Sequence, residues 1–288
     1  MTATDPMSPA APAESLIAPR LGAEPSGLGR LGLRSGIGLG VGVIWLTLLV
    51  LLPLAALVAT GFGTGIGAFV QAVTEPQAIR SIVLTVAVAL VVTVINAVVG
   101  TLIAWVLVRD DFPGKRIVEL IIDVPFALPT IVAGVVLLSL YGTSSPVGIE
   151  LQGTRVGVGL ALLFVTLPFV VRAVEPVLLA LDTDAEQAAA CLGASRATTF
   201  RRIVLPLLLP AILSGAGLAF ARAMGEYGSV VLISAGLGST KVASMYAFQL
   251  IQNSDYQGAA SIATVLLAVS LVVLVALDLI QRKAARRG

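Results

Sequence analysis

The sequence predicts an all-α protein built from six membrane-spanning helices, and three observations carry that prediction. Of its 288 residues 57% are hydrophobic and only 12% charged, with a mean hydropathy of +1.01. A soluble domain carries about a quarter of its residues as charged groups. Six apolar runs each reach the roughly 20 residues needed to cross a hydrocarbon core about 30 Å thick. The lysines and arginines between those runs are distributed very unequally, as they are where topology is set by charge.

The elements follow in order. Residues 1–35 are rich in Pro, Ala, Gly and Ser, a composition with too little apolar surface to order itself, and read as a disordered tail. The run 36–60 is longer than the roughly 7–15 residues of a signal-peptide core and reads as the first span. Further spans are expected at 81–108, 118–141, 156–181, 207–234 and 259–280, the fifth interrupted by Arg222 and Glu226. They make one six-span domain over 36–281, followed by a basic end at 282–288. Gly36, Gly38, Gly40 and Gly42 offer small-residue spacing suited to close helix contact. Pro125, Pro129, Pro168, Pro176 and Pro210 fall inside spans. Broken helices survive in lipid where neighbouring helices or a water-filled cavity satisfy the freed backbone groups, so a packed bundle with a pathway is expected.

With the N-terminus inside, the inner segments hold 13 of the basic residues: Arg20, Arg30, Arg34, Arg109, Lys115, Arg116, Arg196, Arg201, Arg202, Arg282, Lys283, Arg286 and Arg287. The outer loops hold Arg80, Arg155 and Lys241. This bias predicts that both termini, and the polar segment 182–206, are cytoplasmic.

Several kinds of chemistry are excluded or disfavoured. A net charge of +2 gives no basis for a nucleic-acid partner. The chain has no histidine, and one cysteine, Cys191, permits no internal disulfide. No G-x-x-x-x-G-K-[ST] loop, metal-ligand cluster or nucleophile–base pair occurs. The chain is therefore expected to be no enzyme by itself, to hold no cofactor or metal, and to have no catalytic residue.

The most informative stretch is EQAAACLGASRATTFRRIVLP, 186–206. Thr183 and Glu186 have capping-box spacing, and Asp184 adds negative charge at a helix N-terminus. Gly193 suits the left-handed position that ends such a helix. Ser195 can cap a second short helix on which Phe200, Ile203 and Val204 share a face, and Pro206 suits the first turn of the fifth span. On physical grounds two readings stay open: a connector lying on the membrane surface, or a docking element whose small residues admit another protein's backbone.

Glu186-Gln187-Ala188-Ala189-x-x-x-Gly193, nine residues, then Ile203-x-Leu205-Pro206 resembles the EAA motif of ATP-binding-cassette importer permeases, with Gln187 where that motif usually has Glu. FPGKR (112–116), DVPFALPTIVAG (123–134), LPFVVRAVEPV (167–177), FARAMGEYGSVVLISAG (220–236) and DYQGAASIATV (255–265) resemble the T-type permease of sulfate/thiosulfate importers, in the same order. The resemblance implies a six-helix type I (MetI-like) permease in the inner membrane that translocates sulfate, and thiosulfate with it. It implies as partners a homologous W-type permease, two cytoplasmic ATPase subunits that bind ATP and Mg²⁺, an extracytoplasmic sulfate-binding protein, and membrane lipid. Coupling to the ATPase would then fall to Glu186, Gln187, Ala188, Ala189, Gly193, Ala194, Phe200, Ile203, Leu205 and Pro206. A permease for molybdate or another oxyanion fits the same architecture. An ion-coupled secondary anion transporter is the rival of a different class, and it has no use for the hairpin.

Candidates for the translocation path are Arg222, Glu226, Tyr227, Ser229 and Pro129. Arg222 and Glu226 lie four apart on one helix face, so they either neutralise each other or face the path. Gly225 and Gly228 bracket Glu226-Tyr227 and can loosen the helix there. Glu119 and Asp123, and Arg172 with Glu175, read as structural groups of the bundle with no partner legible from sequence.

Overall fold

A computed structural model describes residues 33–182 and 184–285. The tail expected at 1–35 lies outside them except for 33–35, as do Thr183 of the expected capping box and Arg286 and Arg287 of the basic end. The described residues are helices and connecting loops, with no strand among them. The chain divides between Leu52 and Pro53 into two units. The first contributes α1 (Leu33–Leu46), extended by a π-helical turn at Thr47–Leu51. The second contains α2 (Leu52–Gly61), α3 (Ile66–Thr74), α4 (Pro76–Arg109), α5 (Lys115–Ala127), α6 (Thr130–Tyr141) and α7 (Arg155–Ala180). It continues with α8 (Asp184–Cys191), α9 (Arg196–Thr199), α10 (Leu205–Met224), α11 (Gly228–Ile233), α12 (Ala243–Gln252) and α13 (Tyr256–Ala285).

Five helical segments are long and apolar enough to cross a membrane: Ile37–Gly61, Pro76–Arg109, Arg155–Ala180, Arg196–Met224 and Tyr256–Lys283. The expected third span differs. It is two helices, α5 and α6, bent by 115° at Leu128–Pro129, and counts as a sixth span only if the bent pair is one. Pro129 causes the break: a proline pushes the residue before it out of the helical region, and Leu128 is extended at φ −83°, ψ 134°.

The expected fifth span also differs at both ends. Its helix starts at Arg196 rather than 207, because a π-helical turn at Phe200–Val204 joins α9 to α10 without a break. Leu205 N–H there bonds to the carbonyl of Phe200, five residues back, and Pro206 next to it has no N–H to give. At the other end the helix stops at Met224 instead of 234, and α11 begins again after Gly225–Tyr227. The short helices α3 and α12 were not signalled by apolar runs of spanning length.

The core sits where α4, α7 and α10 meet. Ala104, Leu107, Val170, Val171, Val174, Leu178, Val204 and Leu208 form one buried cluster near the α8 end. Ala89, Val92, Val158, Leu162, Phe220 and Met224 form another near α11 and α12. In lipid, association of helices relies on packing and interhelical hydrogen bonds. Asn96 of α4 supplies such bonds, donating to the Leu163 carbonyl at 3.2 Å and to Thr166 Oγ1 at 2.8 Å on α7. On α12, Ala243 N–H donates to Thr85 Oγ1 of α4 at 2.8 Å, and Tyr246 donates to Glu75.

Candidate functional site

The hairpin 184–206 is built from two unequal halves. In the first, α8 ends in a Schellman arrangement: Ala194 N–H bonds to the Ala189 carbonyl and Gly193 N–H to the Ala190 carbonyl, both at 3.0 Å. Gly193 has φ +81°, the left-handed conformation a residue without Cβ adopts freely. In the second, Ser195 Oγ accepts from Thr198 N–H and caps α9. With Thr183 outside the described residues, the turn into α8 is closed by Asp182 Oδ1, which accepts from Asp184 N–H at 3.0 Å.

The two halves are held differently. α9 is anchored: Thr199 and Val204 are buried, and Phe200 meets Trp105 of α4 edge to face at 5.2 Å. None of the described α8 side chains is buried. Gln187, Ala188 and Ala190 are exposed, and just beyond the helix Leu192 is 89% exposed. Glu186 ties α8 to the bundle, accepting from Arg109, the last residue of α4. The Arg109 guanidinium also lies 5.6 Å from the Trp105 ring centre. A cavity of about 670 Å³ separates the hairpin from α4, lined by Leu102, Trp105, Arg109, Glu186, Ala190 and Phe200 among others.

Most of the expected coupling residues therefore share one end of the bundle, and their exposure differs. Gln187, Ala188 and Gly193 are open, Ala189 and Ala194 half-buried, and Ile203 and Leu205 are turned partly inward. The sequence reading missed Arg109 and Trp105 as members of this site. Arg109 carried only a topological meaning there, and nothing in the spacing of 109 and 186 links them.

The path candidates are split by the break after α10. Arg222 and Glu226 do pair, with Glu226 2% exposed and Arg222 half-buried. Glu226 also accepts from Ser229 N–H at 2.7 Å, replacing a backbone bond lost where the helix is interrupted. Its carbonyl accepts from Ser244 Oγ at 2.6 Å. Ser229 is fully buried, and Tyr227 is half-buried against Phe248 at 5.1 Å. Pro129 is exposed at the α5–α6 bend. Gly228 is packed so closely against Thr130 and Ile131 that no side chain fits between them. Arg172 finds the partner that sequence left open: it holds Asp123 of α5 through Nε at 2.9 Å and Nη2, and Glu175 at 2.6 Å. Among the described residues no group of three or more His, Cys, Asp and Glu side chains could hold a metal ion.

Residues 98–287, which include the whole hairpin, match the family model described as "Binding-protein-dependent transport system inner membrane component". The chain belongs to this family of transport permeases. Similar curated proteins include the sulfate transport system permease protein CysT of Synechocystis sp., 44% identical over 254 residues, covering 85% of this chain and 89% of the relative. The CysT permease of Escherichia coli is 38% identical over 259 residues, covering 87% and 94%. Among solved structures, a bacterial ABC transporter importing the acidic polysaccharide alginate aligns with a TM-score of 0.73 at 17% identity, covering 86% of this permease and 94% of that chain. The inward-facing MetNI methionine transporter aligns with a TM-score of 0.57 at 19% identity, covering 72% and 95%. The permease thus has the all-helical MetI-like importer fold.

Proposed function

We propose that this permease is the T-type membrane subunit of an ATP-driven sulfate importer, with thiosulfate as a second substrate, and that α8 and α9 receive the motion of a separate ATPase. The observation that carries the coupling role is the hairpin. It presents small, exposed residues at one end of the bundle, on a helix none of whose described side chains is fully buried. Relatives at 38–44% identity named as sulfate transport permeases support the substrate. The remaining assembly is a W-type permease, two ATPase subunits holding ATP and Mg²⁺, and an extracytoplasmic sulfate-binding protein. An alginate importer solved with its periplasmic binding protein supports the last of these. The charge bias supports an inner-membrane topology with both termini and the hairpin in the cytoplasm.

Energy has to come from outside this chain. Moving a dianion into a cell that is negative inside costs about 2.3 kcal/mol per charge per 100 mV, so roughly 5 kcal/mol before any concentration term. We assign the translocation path to Pro129, Tyr227 and Arg222, which are exposed or half-buried. Glu226 and Ser229 are buried, and the bond between them holds the break between α10 and α11 in shape.

Uptake of radiolabelled sulfate into proteoliposomes containing the full assembly tests this reading. Uptake should require ATP and the binding protein, and competition by thiosulfate and molybdate ranks the anions. Uptake that proceeds equally well without ATP overturns the reading.

A further inference from the structure

We infer that the Arg109–Glu186 ion pair is a latch that sets the attitude of α8, and that Arg109 is a positioning residue for coupling although it lies outside the hairpin motif. The inference rests on the proposed coupling role of the hairpin and adds the element that steers it.

Three observations place the latch there. The first is the asymmetry of the hairpin: α9 runs unbroken into the span Arg196–Met224, whereas α8 is joined to α9 through the turn 192–195, with Gly193 at φ +81°. The second is the cavity of about 670 Å³ between the hairpin and α4, which leaves α8 without a packed floor. With none of its described side chains fully buried, α8 takes part of its orientation from the polar groups that reach across that space, Glu186 among them. The third is the pair itself. The Arg109 and Glu186 side chains are 19% and 22% exposed, well shielded compared with the rest of α8. Coulomb attraction between partly buried charges is less screened than at an open surface. Arg109 is held in turn by its place over Trp105, whose ring meets Phe200. One cluster therefore fixes the end of α4, the root of α9 and, through Glu186, the free helix α8.

The placement also gives the latch something to report. Arg109 ends α4, the helix that packs along α7 and α10 through Asn96, Thr101, Ala104 and Leu107. A shift of α4 against the fifth span changes the Arg109–Glu186 distance, so α8 turns about Gly193 as the bundle rearranges. Motion of α8 imposed by a partner is passed to α4 by the same bond.

The test has a structural and a functional arm. The chain has a single cysteine, Cys191, exposed at the end of α8. A spin label there and a second at Val98→Cys, an exposed position on α4, report the α4–α8 distance in the full-length permease. Arg109→Gln should broaden that distance distribution, and the exchange Arg109→Glu with Glu186→Arg should narrow it again. In the reconstituted importer, Arg109→Gln should lower sulfate imported per ATP hydrolysed by about fivefold, the scale of one partly buried ion pair. The charge exchange is read by the distance alone, because Glu186 itself stands among the coupling residues. An unchanged distance distribution in Arg109→Gln, or one that the exchange does not narrow again, overturns the latch. Absence of ATP-driven sulfate uptake by the unaltered importer would instead overturn the function on which it rests.

Discussion

Arg172 of α7 grips Asp123 of α5 with two N–H···O bonds, from Nε to Oδ1 at 2.9 Å and from Nη2 to Oδ2, while its Nη1 holds Glu175. The pairing fixes α5 to α7 just before the 115° bend at Leu128–Pro129. Two carboxylates on one guanidinium make the arrangement asymmetric, and that asymmetry is testable. Arg172→Leu leaves Asp123 and Glu175 uncompensated, whereas Asp123→Asn leaves Arg172 still paired with Glu175. Both side chains of the α5–α7 pair are about one-third exposed or more, so solvent screens the interaction. Arg172→Leu should cost about 2 kcal/mol and Asp123→Asn about 1 kcal/mol or less. Thermal unfolding in detergent measures both, and equal losses would contradict the shared-cation arrangement.

Gly193 tests the hairpin through backbone conformation alone. A Cβ built there meets no atom within 4 Å, so the cost of a side chain is conformational and not steric. Gly193→Val should strain the Schellman turn by roughly 1–2 kcal/mol, and Gly193→Asn by less, since Asn tolerates the left-handed region. ATP-driven uptake should follow the order Gly, then Asn, then Val, at equal membrane abundance. Equal uptake by all three would mean that the angle between α8 and α9 does not matter for transport.

The α6–α11 contact depends on space. A Cβ at Gly134 would sit 2.9 Å from the Gly228 carbonyl oxygen and 3.1 Å from that of Ser229, both backbone atoms with little freedom to yield. Gly134→Ala should destabilise the permease by about 1–3 kcal/mol through overpacking. Gly67→Ala in α3, where nothing lies within 4 Å, should be neutral or gain up to about 1 kcal/mol from helix propensity. A melting-temperature comparison in one detergent separates the two.

Tyr246 of α12 joins Glu75 through its hydroxyl at 2.5 Å. Burial, and secondarily that bond, push the phenol above its ordinary value of 10.0. A group whose pKa is raised on folding contributes stability that is present below the unfolded value and lost as pH rises through the folded one. Tyr246→Phe should cost about 1–2 kcal/mol at neutral pH. The gap between wild type and variant should shrink as pH rises beyond about 10, and a gap that widens there would reverse the sign of this linkage.

Much of this was legible from single residues and their spacing. Apolar run length marked long helical segments but not the bend in the third or the ends of the fifth, because crossing hydrocarbon dictates a satisfied backbone and not where a helix breaks. Gly193 and Ser195 announced the turn and cap they form, since both effects act over three or four residues. Pro129 is a partial case: a break was predictable from the proline, but a bend of 115° follows from how α5 and α6 pack onto α7 and α11. Arg196 is the reverse case, where a Gly-and-Pro-flanked segment was read as a separate short helix. The π turn at Phe200–Val204 absorbed the misfit and kept the helix continuous.

The sequence by itself determined that this chain lives in a membrane, that it carries apolar runs of spanning length, and that a polar segment with a glycine stop joins two of them. These are consequences of hydration and local backbone chemistry, which neighbouring residues decide. Only the tertiary structure decided that Arg109 holds Glu186, 77 residues away, that Arg172 holds Asp123, and that Glu226 turns inward to cap α11. Those pairings depend on which helix faces meet, and many side chains must pack together before that is fixed.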